Sequence, residues 1–268
     1  MKEGSGTSML TGADGSVEFF DTLEQTDWNR SLQRTLIHWL GPRETYDVLD
    51  AGCGAGRFAT HLAQRSRTVV ALDSSPLMVE RAKRSAADYG LTNMQCVVGN
   101  IRALPFADGT FDLVTCLDVL FMFDDPVDGL RELVRVAKPG GQVVILNPSD
   151  KMNPWSAQTY CEAHAFKDFQ RDSFLAWSTA AARRRLYDEY TWAHMAEACG
   201  AKWKDSLSLM DGLVAVFRLV VEEPVGMIQG MDLPTGVAAT DGAAVEAELS
   251  GEGPEAAERL EGEGDLGV

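Results

Sequence analysis

The sequence predicts an α/β protein built around a mostly parallel sheet, and two patterns carry that prediction. Helix-forming sequence alternates with five short apolar runs, which lie near residues 46–50, 68–73, 95–98, 112–117 and 142–147. This alternation is typical of parallel strands covered by helices on both faces. Two more apolar runs, 203–210 and 213–221, are separated by Asp211-Gly212. That spacing predicts an antiparallel hairpin, and hence a seven-stranded sheet in total.

Charge and aromatic content divide the chain into segments. The net charge is −16, and residues 222–268 hold 12 acidic side chains against one arginine, with no aromatic residue. This composition cannot bury enough apolar surface to offset the entropy of ordering, so we predict a disordered acidic tail. Residues 1–18 are predicted to be a flexible N-terminus. The domain is expected over 19–221, with a core at 46–148 and a helical cap insertion at 149–192.

Composition also bears on location and partners. The chain has no basic stripe, which makes nucleic acid an unexpected partner, and no apolar stretch of membrane-spanning length. The N-terminus lacks the pattern of a signal peptide, and the five cysteines are scattered and odd in number. We therefore expect a cytoplasmic protein without a metal site. The acidic tail leaves a weak partner contact open.

The most informative segment runs from Val48 to Phe58. An apolar run ends in Asp50, and the turn Gly52-Cys53-Gly54-Ala55-Gly56 follows before helix-forming sequence resumes. Glycines let the backbone approach a ligand closely, and the start of a helix offers unpaired N–H groups. The spacing G-x-G-x-G has no third glycine where the dinucleotide fingerprint requires one. A strand, a glycine turn and a helix therefore predict a nucleotide-binding corner.

Three later blocks extend this pattern. The second apolar run ends in Asp73, whose carboxylate can accept hydrogen bonds from both hydroxyls of a ribose. Residues 96–116 contain Gly99-Asn100-Ile101 and then Leu104-Pro105-Phe106 ahead of the fourth apolar run. Residues 133–145 contain Lys138-Pro139-Gly140-Gly141 before the fifth.

These four ordered blocks resemble the class I S-adenosylmethionine-dependent methyltransferases. The resemblance implies a Rossmann-like fold ending in an antiparallel hairpin, with S-adenosylmethionine as the methyl donor. It is nearest to the small-molecule enzymes of ubiquinone and menaquinone biosynthesis. However, Phe121-Met122 stands where those enzymes often carry paired histidines. Quinone precursors are therefore not implied as acceptors.

The resemblance also implies a set of cofactor-binding residues. The glycine turn would lie against the methionine part, Asp73 would hold the ribose, and Met78 would pack near the adenine. Asn100 stands where the family has an aspartate, and its side-chain carbonyl can still accept a hydrogen bond from the adenine amino group. The implied set is Asp50, Gly52, Cys53, Gly54, Gly56, Asp73, Ser74, Met78, Asn100, Ile101 and Leu117.

The methyl acceptor is expected between two further segments. Residues 13–30, with Phe19, Phe20 and Trp28, are predicted either to close as a lid or to fix a helix capped by Asp27 to the core. The cap insertion carries nine aromatic residues, which favour a small, partly apolar acceptor. They are Trp155, Tyr160, Phe166, Phe169, Phe174, Trp177, Tyr187, Tyr190 and Trp192. His164 and Asp118 are the candidate catalytic residues, as a base or an orienting group.

The sequence thus predicts a methyltransferase acting at O, N or C of a small molecule by in-line displacement. Several alternatives stay open at this point. The chain can be an adaptor that binds the cofactor without turnover, or a protein methyltransferase. An NAD-dependent oxidoreductase would bind NAD(H) and have no affinity for S-adenosylhomocysteine.

Overall fold

The computed structural model describes residues 22, 23 and 25–223. These residues belong to one compact unit, Met1–Val225. The predicted flexible segment 1–18, the aromatic residues Phe19 and Phe20, and the acidic tail beyond residue 223 lie outside the described residues. No helix in the described part of the chain combines the length and apolar character needed to cross a membrane.

The described residues form one seven-stranded sheet in the order β3-β2-β1-β4-β5-β7-β6. Its strands are β1 Asp47–Ala51, β2 Thr68–Asp73, β3 Met94–Val98, β4 Phe111–Leu117, β5 Ala137–Pro148, β6 Ala201–Leu209 and β7 Val214–Val221. Strands β1 to β5 pair in parallel, whereas β7 runs antiparallel to both β5 and β6. The predicted α/β class, the seven strands and the terminal hairpin are confirmed. The fifth strand begins five residues earlier than the predicted 142, because Ala137 already pairs with Phe111.

Helices cover both faces of the sheet. They are α1 Asp27–Leu40, α2 Arg57–Ala63, α3 Pro76–Asp88, α4 Val127–Val136, α5 Pro154–Ala163, α6 Asp168–Ala181 and α7 Glu189–Ala198. Neighbouring strand residues point to opposite faces, so that Val48 joins one buried cluster and Leu49 the other. Helices α1, α2, α3, α5 and α6 contribute to the first cluster, and α4 and α7 to the second.

The N-cap of α1 differs from the prediction. Thr26, one residue before Asp27, has extended backbone angles, and its hydroxyl accepts a hydrogen bond from the Asn29 N–H. A residue with an extended backbone is what a cap requires, whereas Asp27 is already the first helical residue. Gly41 then ends the helix in the left-handed conformation.

The helices within the predicted cap insertion, 149–192, pack on both faces of the sheet. Helices α5 and α6 pack on the face that α1 covers, through Tyr160, Phe166, Phe174 and Trp177. Trp192 lies on α7 and is buried on the opposite face, against Phe217. Helix α7 therefore covers the opposite face of the sheet from α5 and α6. Two of the nine aromatics, Trp155 and Tyr190, are largely exposed.

Candidate functional site

The glycine turn follows β1 and leads into α2. All three of its glycines have positive φ angles: 82° at Gly52, 54° at Gly54 and 82° at Gly56. The N–H groups of Gly52 and Cys53 both donate to the Leu72 carbonyl, at 2.7 and 2.9 Å. The turn is thereby fixed to the adjacent strand β2. A Cβ atom on Gly54 would meet nothing within 4 Å, so this position opens onto free space.

Asp73 joins the end of β2 to that turn. Its Oδ2 accepts a hydrogen bond from the Gly54 N–H at 2.9 Å, and its Oδ1 accepts one from the Ser75 N–H at 2.9 Å. Each carboxylate oxygen can accept a second hydrogen bond, so the side chain retains capacity for two ribose hydroxyls. Ser74, between these two contacts, is exposed.

Asp50 is the buried carboxyl group at the end of β1. Its side chain lies opposite Thr115 in the sheet, and the Thr115 hydroxyl donates to Oδ1 at 2.7 Å. The other oxygen, Oδ2, is buried without a hydrogen-bond partner. Burial raises the pKa of Asp50 to about 7, and the negative charge of Asp73 adds to that rise. A buried polar atom without a partner is costly, which is consistent with a ligand group that pairs with it.

The residues expected around the adenine follow β2 and β3. Met78 is buried in the first turn of α3, where its N–H donates to Ser75 Oγ. Ile101 is also buried, and its Cδ1 lies 3.5 Å from the position of a Cβ on Gly52. Asn100 is exposed, and its Oδ1 accepts a hydrogen bond from the Arg102 N–H at 2.9 Å. A carbonyl oxygen has a second lone pair, so Asn100 can still accept from an amino group.

Leu117 and Asp118 end strand β4 next to the glycine turn. The Asp118 N–H donates to the Leu146 carbonyl at 2.7 Å, and its φ of 61° is uncommon for an aspartate. Val119, the next residue, packs closely on Gly52. A Cβ atom added to Gly52 would lie 2.4 Å from Val119 Cγ2. The Trp177 indole N–H donates to Asp118 Oδ1 at 2.9 Å. Asp118 therefore connects the glycine turn with the cap.

His164 contacts the cap and the β6–β7 turn. It follows α5, its ring packs 4.1 Å from that of Tyr160, and its Nε2 is 3.3 Å from Asp211 Oδ2. With Tyr160, Phe166 and Met210 it lines an open groove of about 330 Å³ between α1, the cap and the β6–β7 turn. Among the described residues His164 pairs with Asp211, and Asp118 pairs with Trp177. The catalytic roles of His164 and Asp118 stay predictions.

Three functional candidates were missed by sequence reasoning. Thr115 was hidden within an apolar strand, although its position opposite the strand-end carboxylate was a usable signal. Trp177 was counted among the cap aromatics without a role. Asn147, near the end of β5, is buried with an unpaired Nδ2, while its Oδ1 accepts the Phe121 N–H at 3.1 Å. Nothing local in the sequence distinguishes Asn147 from a loop residue.

The residues present fit S-adenosylmethionine. Asp50 Oδ2 is a buried oxygen without a hydrogen-bond partner, Gly54 faces free space, and Asp73 remains able to accept further hydrogen bonds. Burial keeps the Cys53 thiol in the turn protonated by raising its pKa. No cluster of metal-ligating side chains occurs within the residues that the structure describes.

The ionisation of Asp50 yields a testable prediction about stability. Its pKa is higher in the folded chain than in the unfolded chain, so ionisation disfavours folding, and stability falls as the pH rises from about 4 to above 7. We expect Asp50→Asn without cofactor to be more stable than the unsubstituted protein by about 2–4 kcal/mol at pH 8. The gain should shrink to less than half by pH 5. Thermal unfolding of both proteins across this pH range measures it.

Asp88→Asn is the matched control, because Asp88 is exposed at the end of α3. It should change stability by less than about 0.5 kcal/mol at every pH. A gain in Asp50→Asn that does not vary with pH would contradict the proposed ionisation.

Strand order, terminal hairpin and a glycine turn beside two strand-end carboxylates are the features expected of class I methyltransferases. The family model described as "Methyltransferase domain" matches residues 49–145. The demethylmenaquinone methyltransferase of Shouchella clausii is 36% identical over 167 residues, which cover 61% of this chain and 68% of that protein. The chain belongs to this methyltransferase family, whose members use S-adenosylmethionine.

Two further similarities come from a relative and a solved structure. The 2-heptyl-1-hydroxyquinolin-4(1H)-one methyltransferase of Mycobacteroides abscessus is 41% identical over 105 residues, covering 37% of this chain and 45% of that protein. The crystal structure of magnesium protoporphyrin IX methyltransferase from Synechocystis PCC 6803, with bound SAH, matches with a TM-score of 0.58. Its identity is 17%, over 77% of this chain and 94% of that one, so it supports the fold. The matches to the first four curated relatives span between 42% and 68% of those proteins.

Proposed function

We propose that this chain transfers the methyl group of S-adenosylmethionine to a small, partly apolar aromatic acceptor. One observation carries the proposal: Asp118 links the glycine turn, through the packing of Val119 on Gly52, with the aromatic cap, through Trp177. An acceptor bound against the cap would thus lie next to the residues that hold the cofactor. The cofactor would supply an electrophilic methyl group on a sulfonium.

The chain's own residues would act mainly by alignment and by excluding water. Trp28, Phe174 and Trp177 form a cluster of rings beside Asp118, and Trp28 and Phe174 are buried. Aromatic side chains stack favourably on planar ligands. An apolar lining also excludes water, whose solvation of the sulfonium and the nucleophile opposes the displacement. Phe121 and Met122 lie on the short helical turn Leu120–Met122 after β4, so an apolar segment also occupies the place of the paired histidines.

The names of two relatives support an aromatic acceptor. One methylates demethylmenaquinone and the other a hydroxyquinolone, and both names describe ring systems. In this proposal the acceptor is a ring compound with an ionisable hydroxyl or N–H group. The five cysteines are unpaired, which is typical of a reducing compartment and supports a cytoplasmic location.

The experiment has two stages. First, S-adenosylmethionine, S-adenosylhomocysteine and NAD(H) are titrated into the full chain by calorimetry. Second, methyl transfer from labelled S-adenosylmethionine is measured with 2-heptyl-1-hydroxyquinolin-4(1H)-one, with demethylmenaquinol and with a small-metabolite extract. We expect both sulfur compounds to bind and at least one aromatic hydroxyl compound to be methylated.

The other functions predict different outcomes. Cofactor binding without methylation of any acceptor would favour the adaptor. Methylation of protein in the extract, with small molecules unchanged, would favour a protein methyltransferase. Binding of NAD(H) alone would exclude the proposal.

A further inference from the structure

The side chain of Asp118 is held in one orientation by contacts from two directions. Its backbone N–H donates to the Leu146 carbonyl of β5, which fixes the residue at the end of β4 with a positive φ. Its Oδ1 accepts the Trp177 indole N–H at 2.9 Å. A left-handed aspartate is unfavourable on its own, and such strain tends to be kept where surrounding structure requires it.

Trp177 is itself fixed by neighbouring rings. Its ring stacks on that of Trp28 with centroids 5.8 Å apart and planes 8° apart. The ring of Phe174 packs edge-on against it at 5.7 Å. Trp28 and Phe174 are both buried in the cluster that joins α1 to the cap. The indole N–H is therefore aimed at Asp118 by packing that spans two segments of the chain.

The second carboxylate oxygen of Asp118 is available. Oδ2 has no hydrogen-bond partner in the described part of the chain, and it is not among the fully buried atoms that lack one. It therefore retains some exposure, in a residue that is itself only partly buried. Asp50 Oδ2 differs, because it is sealed from solvent.

From this geometry we propose that Trp177 is a positioning residue, which holds Asp118 so that its free Oδ2 receives a proton from the hydroxyl or N–H group of the methyl acceptor. This inference rests on the proposed function. The acceptor's O–H or N–H bond breaks, its electron pair stays on the oxygen or nitrogen, and the proton binds Oδ2. Asp118 becomes a neutral carboxylic acid, which afterwards releases the proton to water.

The ionisation of Asp118 is suited to this step. Burial raises its pKa to about 7, and the Trp177 hydrogen bond opposes part of that rise by stabilising the anion. On its own strand the nearest titratable group is Cys116, whose pKa is raised by burial and by the charges of Asp50 and Asp118. Arg184, three residues after α6, pairs with Asp124. A carboxyl that titrates near neutrality accepts and returns a proton efficiently at that pH.

Trp177→Phe is the decisive variant, because phenylalanine keeps an aromatic ring in the stack and lacks the indole N–H donor. Asp carboxyl groups labelled with ¹³C are titrated by NMR in the cofactor-free full chain, with Asp118→Asn to assign the signal. We expect a carboxyl midpoint near 7 that Trp177→Phe moves upward by about one pH unit. Trp155→Phe is the control, since Trp155 lies in the same cap but is largely exposed, and it should leave the midpoint in place.

The kinetic readout uses 2-heptyl-1-hydroxyquinolin-4(1H)-one as the acceptor. In Trp177→Phe the inflection of kcat/KM with pH should move upward by the same amount, so that the rate lost at pH 7 returns at pH 9. Asp118→Asn should lose about 100-fold in kcat at pH 8, where Asp118 is ionised, and less below its midpoint, while still binding S-adenosylhomocysteine. A tryptophan with only a structural role would lower stability without moving either inflection.

Failure of this inference differs from failure of the proposed function. The inference is overturned if Asp118 titrates near pH 4, or if Trp177→Phe leaves the titration midpoint of Asp118 unchanged. This holds even when the hydroxyquinolone is methylated. If the midpoint moves but the hydroxyquinolone is not methylated, the acceptor choice fails and the Asp118–Trp177 pair is supported.

Discussion

Asp73→Ala is expected to lower the affinity for S-adenosylhomocysteine by about 100- to 1,000-fold. If Asp73 holds the ribose as predicted, the substitution removes the acceptor for two hydroxyls, and each hydrogen bond to a charged group contributes about 1.5–3 kcal/mol. It also removes the acceptors of the Gly54 and Ser75 N–H groups, which fix the glycine turn relative to β2. Calorimetric titration of both proteins gives the ratio of dissociation constants.

Two companion variants make this result specific. Asp73→Asn keeps one carbonyl oxygen and should fall between the alanine variant and the unsubstituted protein. Asp88→Ala removes the same charge from an exposed site on α3 and should leave the affinity unchanged within about twofold. A loss of less than about fivefold in Asp73→Ala would show that Asp73 does not hold the ribose.

Gly56→Ala is expected to destabilise the fold by about 3 kcal/mol. The φ of Gly56 is 82°, a left-handed backbone that costs a side-chain residue about 1–2 kcal/mol. The new Cβ would lie 2.6 Å from the Cβ and 2.9 Å from the Cα of Ala82 on α3. Backbone atoms cannot rotate away as a side chain can, so α2 and α3 would have to separate. Denaturant unfolding without cofactor measures the loss.

Gly90→Ala isolates the contribution of the clash. Gly90 has a φ of 63°, and a Cβ there would meet nothing within 4 Å. The Gly90→Ala variant should lose only the free energy of holding alanine in a left-handed backbone conformation, about 1 kcal/mol of stability. Equal losses in the two variants would mean that α3 can move away from the glycine turn without cost.

The strands and the turn were predictable because their signals are local. The two apolar runs end in Asp50 and Asp73, and these residues predict where the strands end. The glycines between them predict the turn. Parallel strands bring their carboxyl ends to one edge, so the proximity of these two carboxylates follows from the topology. The cofactor-binding residues remain predictions, although the glycine turn after β1 contacts Asp73 at the end of β2 and Val119 after β4.

The cap was predictable only as an aromatic segment. Its composition indicated rings without indicating which face each would cover, and Trp192 turned out to lie in the core of the opposite face. His164 was chosen because histidine suits proton transfer, and the sequence did not show that it packs on Tyr160 and pairs with Asp211. Its catalytic role stays a prediction.

By itself the sequence determined the α/β class, the glycine turn and the acidic strand ends, because periodicity and turn chemistry act over a few residues. Only the tertiary structure decided that Trp177 reaches Asp118 across 59 positions of the chain. It also decided that Thr115 supports Asp50, and that Asp50 Oδ2 is left without a partner. These contacts arise when separate elements pack together, and no local pattern encodes that packing.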